Sequence, residues 1–192
     1  AILRGMGPVE PRGAAIIFEI LKRDPPEEEA ASLRKNLKEL CAWFLETGDF
    51  RALTLVHDSM APGVSKDDRP GMPALSCFAD PEALGEILNG LDFWGKEKYD
   101  EIAMLIRKVG PAFIEPMLRK LADSPSMSVR RFLLDRIAEA GAEAVPAILE
   151  RLNDGRWYFV RNLILLLRKI GDASTAERIR RHLDHPHPRV RQ

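Results

Sequence analysis

Apolar residues recur along the chain at spacings of three and four, and Gly or Pro breaks the pattern at short intervals. That is the period of helices that bury one face. Residues 13–23 place Ile16, Ile17, Ile20 and Leu21 on one side. A second run extends to Thr47 through Leu33, Leu37, Leu40, Cys41, Phe44 and Leu45, and Gly48 ends it. Residues 49–60 predict a partner helix, so the two form a hairpin. Asp24-Pro25-Pro26 has the chemistry of a helix start, with Asp24 accepting from free N–H groups and Pro25 at the first helical position. Glu27, Glu28 and Glu29 then lie where the helix dipole favours negative charge. Asp80-Pro81 repeats that start, predicting a helix over 81–89, a turn over 90–95 and a helix over 96–109, with a short helix before it at 74–78. Residues 62–73 hold three prolines and two glycines and predict a loop.

The second half of the chain repeats itself. Asp123 precedes Arg130 by seven residues, Asp154 precedes Arg161 by seven, and Asp184 precedes Arg191 by seven. Val129, Val160 and Val190 stand immediately before those arginines. The helix ends also recur, as Val109-Gly110, Ala140-Gly141 and Ile170-Gly171, giving a period of 30 to 31 residues. Three copies in register, with matching glycines, mark internal repetition. In the second helices, Val129, Phe132, Leu133 and Ile137 share one face, and so do Val160, Leu163, Ile164 and Leu167. In the first helices, Phe113, Met117, Leu118 and Leu121 correspond to Val145, Ile148, Leu149 and Leu152. One hairpin cannot bury such faces alone, and stacked neighbours can.

This pattern of Asp, then Val-Arg, then an apolar residue with Gly resembles HEAT repeats, in particular the short bacterial type also found in phycobilisome lyase subunits. The resemblance covers residues 110–192 and extends to 80–109. It implies an all-α fold, a right-handed superhelix of stacked helical hairpins. The chain then divides into an N-terminal helical region, 1–79, and units at 80–109, 110–140, 141–170 and 171–192, the last incomplete. In that family the Asp and Arg stand at the turn and at the start of the second helix, where they hydrogen-bond within and between repeats. Carried over, Asp123, Asp154 and Asp184 become turn residues, and Arg130, Arg161 and Arg191 become ladder residues. On that basis Arg161→Ala is expected to destabilise the fold by roughly 1–3 kcal/mol, through an unpaired Asp154 or carbonyl.

Composition changes the picture in one respect. The whole chain has 29 Lys+Arg and 29 Asp+Glu. Residues 1–109 nevertheless carry a net charge of −5 and residues 110–192 a net charge of +5. Such asymmetry marks either a solvated helical surface or a basic binding face. Residues 156–192 hold nine Arg/Lys against three acids, and Trp157, Tyr158 and Phe159 stand beside Arg156 and Arg161. Nucleic acid is therefore the alternative partner, by analogy with a HEAT-like alkylpurine DNA glycosylase family that uses an Asp and tryptophans in its groove.

No catalytic motif is present. There is no Gly-rich phosphate loop, no G-x-S-x-G, and no His-Glu dipeptide of the kind that holds metal in some HEAT-like hydroxylases. His182, His185 and His187 with Asp184 have the residue types of a zinc site. They fall on an inter-helix turn interrupted by Pro186 and Pro188, at positions that other units fill with ordinary turn residues, so they are expected to hold no metal. His57, alone on its helix, is expected to be structural. Cys41 and Cys77 form no spaced framework, no signal-peptide pattern opens the chain, and the longest apolar block, 163–167, is too short to span a bilayer. A cytoplasmic protein without cofactors is expected. The first residue is not Met, and the chain stops just after a helix begins, so a piece of a longer protein is expected, with an open apolar face that favours self-association.

The function expected is a non-catalytic protein-interaction scaffold, its partner another protein or another domain of the same chain. The candidate contact residues are Arg131, Asp135, Arg156, Trp157, Tyr158, Arg168 and Lys169. Within them, Arg156-Trp157-Tyr158 is unshared, matched against Ser126-Met127-Ser128 and His187-Pro188-Arg189 in the sister units.

Overall fold

The computed structural model describes residues 9–21, 23–60, 76–171 and 173–191. Among these, all regular structure is helical, and no helix is long and apolar enough to cross a membrane. The expected loop at 62–73 lies outside the described residues. The chain forms two compact units, residues 1–109 and residues 110–192.

In the first unit, α1 (Val9–Leu21), α3 (Phe50–Met60) and α6 (Tyr99–Val109) pack side by side, while α2 (Glu27–Thr47) and α5 (Pro81–Phe93) form a second layer. The short α4 (Ser76–Ala79) leans on α5. This is the two-layer order of stacked hairpins: α6 packs on α3, and α5 on α2. Phe18, Phe44 and Phe50 fill the interior, each at most 1% exposed. Burial of such a side chain contributes about 1.5–3 kcal/mol.

Several helix boundaries differ from expectation: α1 begins at Val9 rather than at 13 and α6 at Tyr99 rather than at 96, and two further differences have a clear local cause. Asp24 does not cap α2. It takes a left-handed backbone conformation (φ 56°), and the helix begins at Glu27 with no side-chain cap. Two prolines in succession hold the chain extended between Asp24 and the helix, beyond reach of its first N–H groups. The acidic first turn is as expected, and Asp80 does cap α5, accepting from the Glu82 N–H at 3.1 Å. Gly90 does not break α5, which continues to Phe93. Its missing side chain makes room for the Phe50 ring, which would lie 2.4 Å from a Cβ there. The glycine serves packing rather than turning.

In the second unit, α8 (Met127–Glu139), α10 (Trp157–Ile170) and α12 (Pro188–Arg191) form one layer. The first helices, α7 (Ile114–Asp123) and α9 (Val145–Glu150), pack in the other, and α11 (Ala176–Arg180) precedes α12. A 3₁₀ turn opens each first helix, at Gly110–Phe113, Gly141–Ala144 and Ala173–Thr175. The recurrent glycines end the preceding helices. Gly171, for example, closes α10 at φ 77° and donates to the Leu167 carbonyl, a conformation costly for other residues. Most of the repeated apolar positions are core: Val129, Leu133, Ile137, Val160, Leu163 and Leu167 are buried, as are Phe113 and Phe159, whereas Phe132, Leu149 and Ile164 are half-buried. Each unit is thus an all-α stack of helical pairs.

Candidate functional site

The turns between first and second helices all open on the same side of the second unit. In the first, Arg130 folds back and donates through Nη1 to the carbonyls of Ser124 and Pro125, both at 2.8 Å. In the third, Arg191 donates through Nη1 to the carbonyls of His185 at 2.7 Å and Pro186 at 3.1 Å. The recurrent Arg therefore clasps its own turn and not the recurrent Asp. Asp184 makes no hydrogen bond or ion pair among the described residues.

The middle turn is wired differently. When the Asp and Arg positions are aligned, Arg156 occupies the place of Pro125 and Pro186, and Trp157 that of Ser126 and His187. The unshared stretch therefore matches Pro125-Ser126-Met127 and Pro186-His187-Pro188, one residue away from the match expected from sequence. Arg156 grips Asp154 with a fork: Nε to Oδ1 at 2.9 Å and Nη2 to Oδ2 at 2.8 Å, while its own N–H donates to Oδ1 at 2.8 Å. Its Nη1 reaches Asp123 of the preceding unit at 2.7 Å. Hydrogen bonding from Arg156 pulls the Asp154 carboxyl down to about 2, and the same carboxylate raises Arg156.

Arg161 has no such task. It is exposed, and its side chain has no hydrogen bond or ion pair among the described residues. The cause is local. Helix α10 starts one residue earlier, relative to the repeat, than α8. The Arg156 carbonyl therefore already accepts from the Phe159 and Val160 N–H groups, and one of the two acceptors that Arg130 uses is engaged. The inter-repeat role expected of Arg161 falls to Arg156.

These turns bound a groove of about 770 Å³. Arg130, Arg131, Arg161 and Arg189 line it, with Trp157, Tyr158 and Asn162. Its acidic member, Asp123, is engaged by Arg156. Among the described residues, Arg131, Arg161 and Arg189 have no carboxylate partner.

The family model for HEAT repeats matches residues 114–192. That segment is an array of HEAT repeats. No curated protein and no solved structure matched the chain.

Within the HEAT repeats, the residues expected to form the contact surface divide into four groups. Arg131, Trp157 and Tyr158 come together in the groove. Arg156 is a framework clamp, as shown above. Asp135 and Lys169 pair with each other across α8 and α10 at 2.6 Å, an exposed ion pair of small energetic weight. Arg168 is exposed and lies outside the groove lining. Arg130, Arg189 and Asn162 belong to the groove although nothing in the repeat pattern singled them out for binding. Arg189 was legible only as one of the nine basic residues of 156–192.

The histidines serve the third turn. His185 Nδ1 accepts from the His187 N–H at 3.0 Å, and His187 Nδ1 accepts from the Arg189 N–H at 3.2 Å. The His187 ring stacks flat on Trp157, centroids 3.8 Å apart and planes 2° apart, while the Arg189 guanidinium sits 5.8 Å from the centre of the same indole. Trp157 therefore ties α10 to the next HEAT unit as well as bordering the groove. Burial, and then the neighbouring His185, lower the His182 pKa. In the first unit, His57 packs edge-on against Phe78, their centroids 5.4 Å apart.

Proposed function

We propose that this chain is a non-catalytic protein-interaction scaffold, working in the cytoplasm, whose HEAT units present the arginine-lined groove as their contact face. HEAT repeats commonly mediate protein–protein interaction. The observation that carries the proposal is the position of Arg131, Arg161, Trp157 and Tyr158. They converge on one groove, and the two arginines make no hydrogen bond or ion pair among the described residues. Arginine and aromatic side chains in a concave surface are the usual energetic anchors of protein interfaces. Solenoids offer such surfaces because each added unit extends the same face.

Nucleic acid is the second reading, and the net charge of +5 on residues 110–192 favours it. Two contacts weigh against a glycosylase-like version. Both oxygens of Asp154 are held by Arg156, and one face of Trp157 is covered by His187. The carboxylate is not poised as a base, and the indole has lost a stacking face.

A photo-reactive residue placed at Asn162, in the groove, tests the proposal, with one at exposed Glu143 as the reference. In cells that make the protein, crosslinks to a discrete protein are expected from position 162 and not from 143. Crosslinks from 143 alone, or to nucleic acid from 162, contradict it.

A further inference from the structure

We infer that the groove takes an acidic, carboxylate-rich peptide segment, a chemistry that deepens and rests on the scaffold proposal. Four arginines line the cavity, and its acidic lining residue, Asp123, is bound by Arg156. An arginine fork donates two parallel hydrogen bonds to a carboxylate, so each unpaired guanidinium is a ready donor site for one acidic side chain. Arg131, Arg161 and Arg189 have no carboxylate partner among the described residues.

Arg161 is the central observation. Its repeat equivalents, Arg130 and Arg191, are bound to turn carbonyls, whereas Arg161 points its charge at no protein group among the described residues. The repeat has a second arginine, Arg156, in the clamping role, which leaves the framework position charged and open. Beside it, α10 begins without a side-chain cap, so the positive end of a 14-residue helix adds to the field of the guanidinium groups. A cavity of about 770 Å³ is the size that encloses a small ligand or a few side chains, not a long polymer. Tyr158, 42% exposed at the rim, supplies apolar contact for the segment between its charges. A polyanion gains most from a long basic track. A short acidic peptide needs only the local site.

The test uses the full chain and a fluorescein-labelled peptide of about ten residues alternating Glu and Tyr, followed by anisotropy at about 50 mM salt, where screening is modest. A Lys/Tyr peptide and a single-stranded oligonucleotide of about the same length are run beside it. Arg161→Glu and Arg131→Glu are compared with Arg178→Glu, which makes the same charge change at an exposed position outside the groove. Arg131 and Arg161 are exposed and unbonded, so both variants are expected to melt with the parent. The acidic peptide should bind, each groove variant should weaken it roughly tenfold or more, and Arg178→Glu should change it less than about twofold. Absence of binding, equal binding by the groove variants, or tighter binding of the oligonucleotide overturns the inference. A protein still crosslinked from position 162 in Arg161→Glu removes the acidic chemistry and leaves the scaffold standing. Peptide binding with no crosslinked protein does the reverse.

Discussion

The turn at 123–130 and the turn at 154–161 have the same length, the same first residue and the same Val-Arg ending, yet their charges are wired in opposite ways. In the first, the terminal Arg130 closes its own turn on two carbonyls. In the second, an arginine inside the turn, Arg156, holds Asp154 and bridges to Asp123, and the terminal Arg161 is released. The two arrangements keep the same core, with Val129 and Val160 both buried, although α10 starts one residue earlier in its repeat than α8. What differs is which guanidinium remains available to a partner. A repeat can therefore keep its fold while one unit converts a framework residue into a surface one.

Breaking the first turn should have the largest effect. Arg130→Ala leaves the Ser124 and Pro125 carbonyls without their donor, and a loss of about 1–2 kcal/mol is expected in denaturant unfolding. Arg156→Ala comes next, at about 1 kcal/mol, because the side chain is 40% exposed and solvent screens its ion pairs. It also has a pH signature. The Asp154 carboxyl titrates at about 2 in the folded protein against 3.8 for the free group. Its contribution is therefore complete above about pH 4 and is lost as the pH falls through about 2. The parent should lose more thermal stability than Arg156→Ala between pH 5 and pH 2; equal losses would show that Arg156 does not hold this carboxylate.

A double-mutant cycle sharpens the comparison. Arg156→Pro restores the residue found in the sister turns, and its backbone angle, φ −87°, is close to what proline accepts. Arg161 should then fold back as Arg130 does, so Arg161→Ala should cost more in the Arg156→Pro background than in the parent, with a coupling of roughly 0.5–1 kcal/mol. Additive effects would mean that Arg156 is not what keeps Arg161 open. The smallest effect belongs to Arg161→Ala in the parent, within about 0.5 kcal/mol, as for other surface substitutions.

The repeat was legible because helical period and glycine placement are local properties. Val129 and Val160 recur at matching positions and are buried, and Gly171 adopts the backbone angle that a helix end demands. The wiring of the turns was not legible. Whether Arg161 or Arg156 meets Asp154 depends on a one-residue difference in where α10 starts, and that decides which carbonyls are already occupied. The same kind of local geometry misplaced the start of α2, where Asp24 has a cap's chemistry but two prolines stand between it and the helix. Gly90 shows the converse: a residue with a turn's composition lies inside a helix because Phe50 occupies the space beside it. Of the groove, Arg131, Trp157 and Tyr158 could be selected as charged or aromatic residues on repeat faces, whereas Arg130 was hidden by its framework role and Asn162 by its ordinary chemistry.

The central claim is that Arg161 has been relieved of the structural role its repeat equivalents perform. Calorimetric melting of Arg130→Ala and Arg161→Ala, side by side in the full chain, tests it most directly. For a protein of this size, 1 kcal/mol corresponds to roughly 2–4 °C. Arg130→Ala should melt several degrees below the parent and Arg161→Ala within about 1–2 °C of it. An Arg161→Ala protein that loses as much as Arg130→Ala would contradict the account.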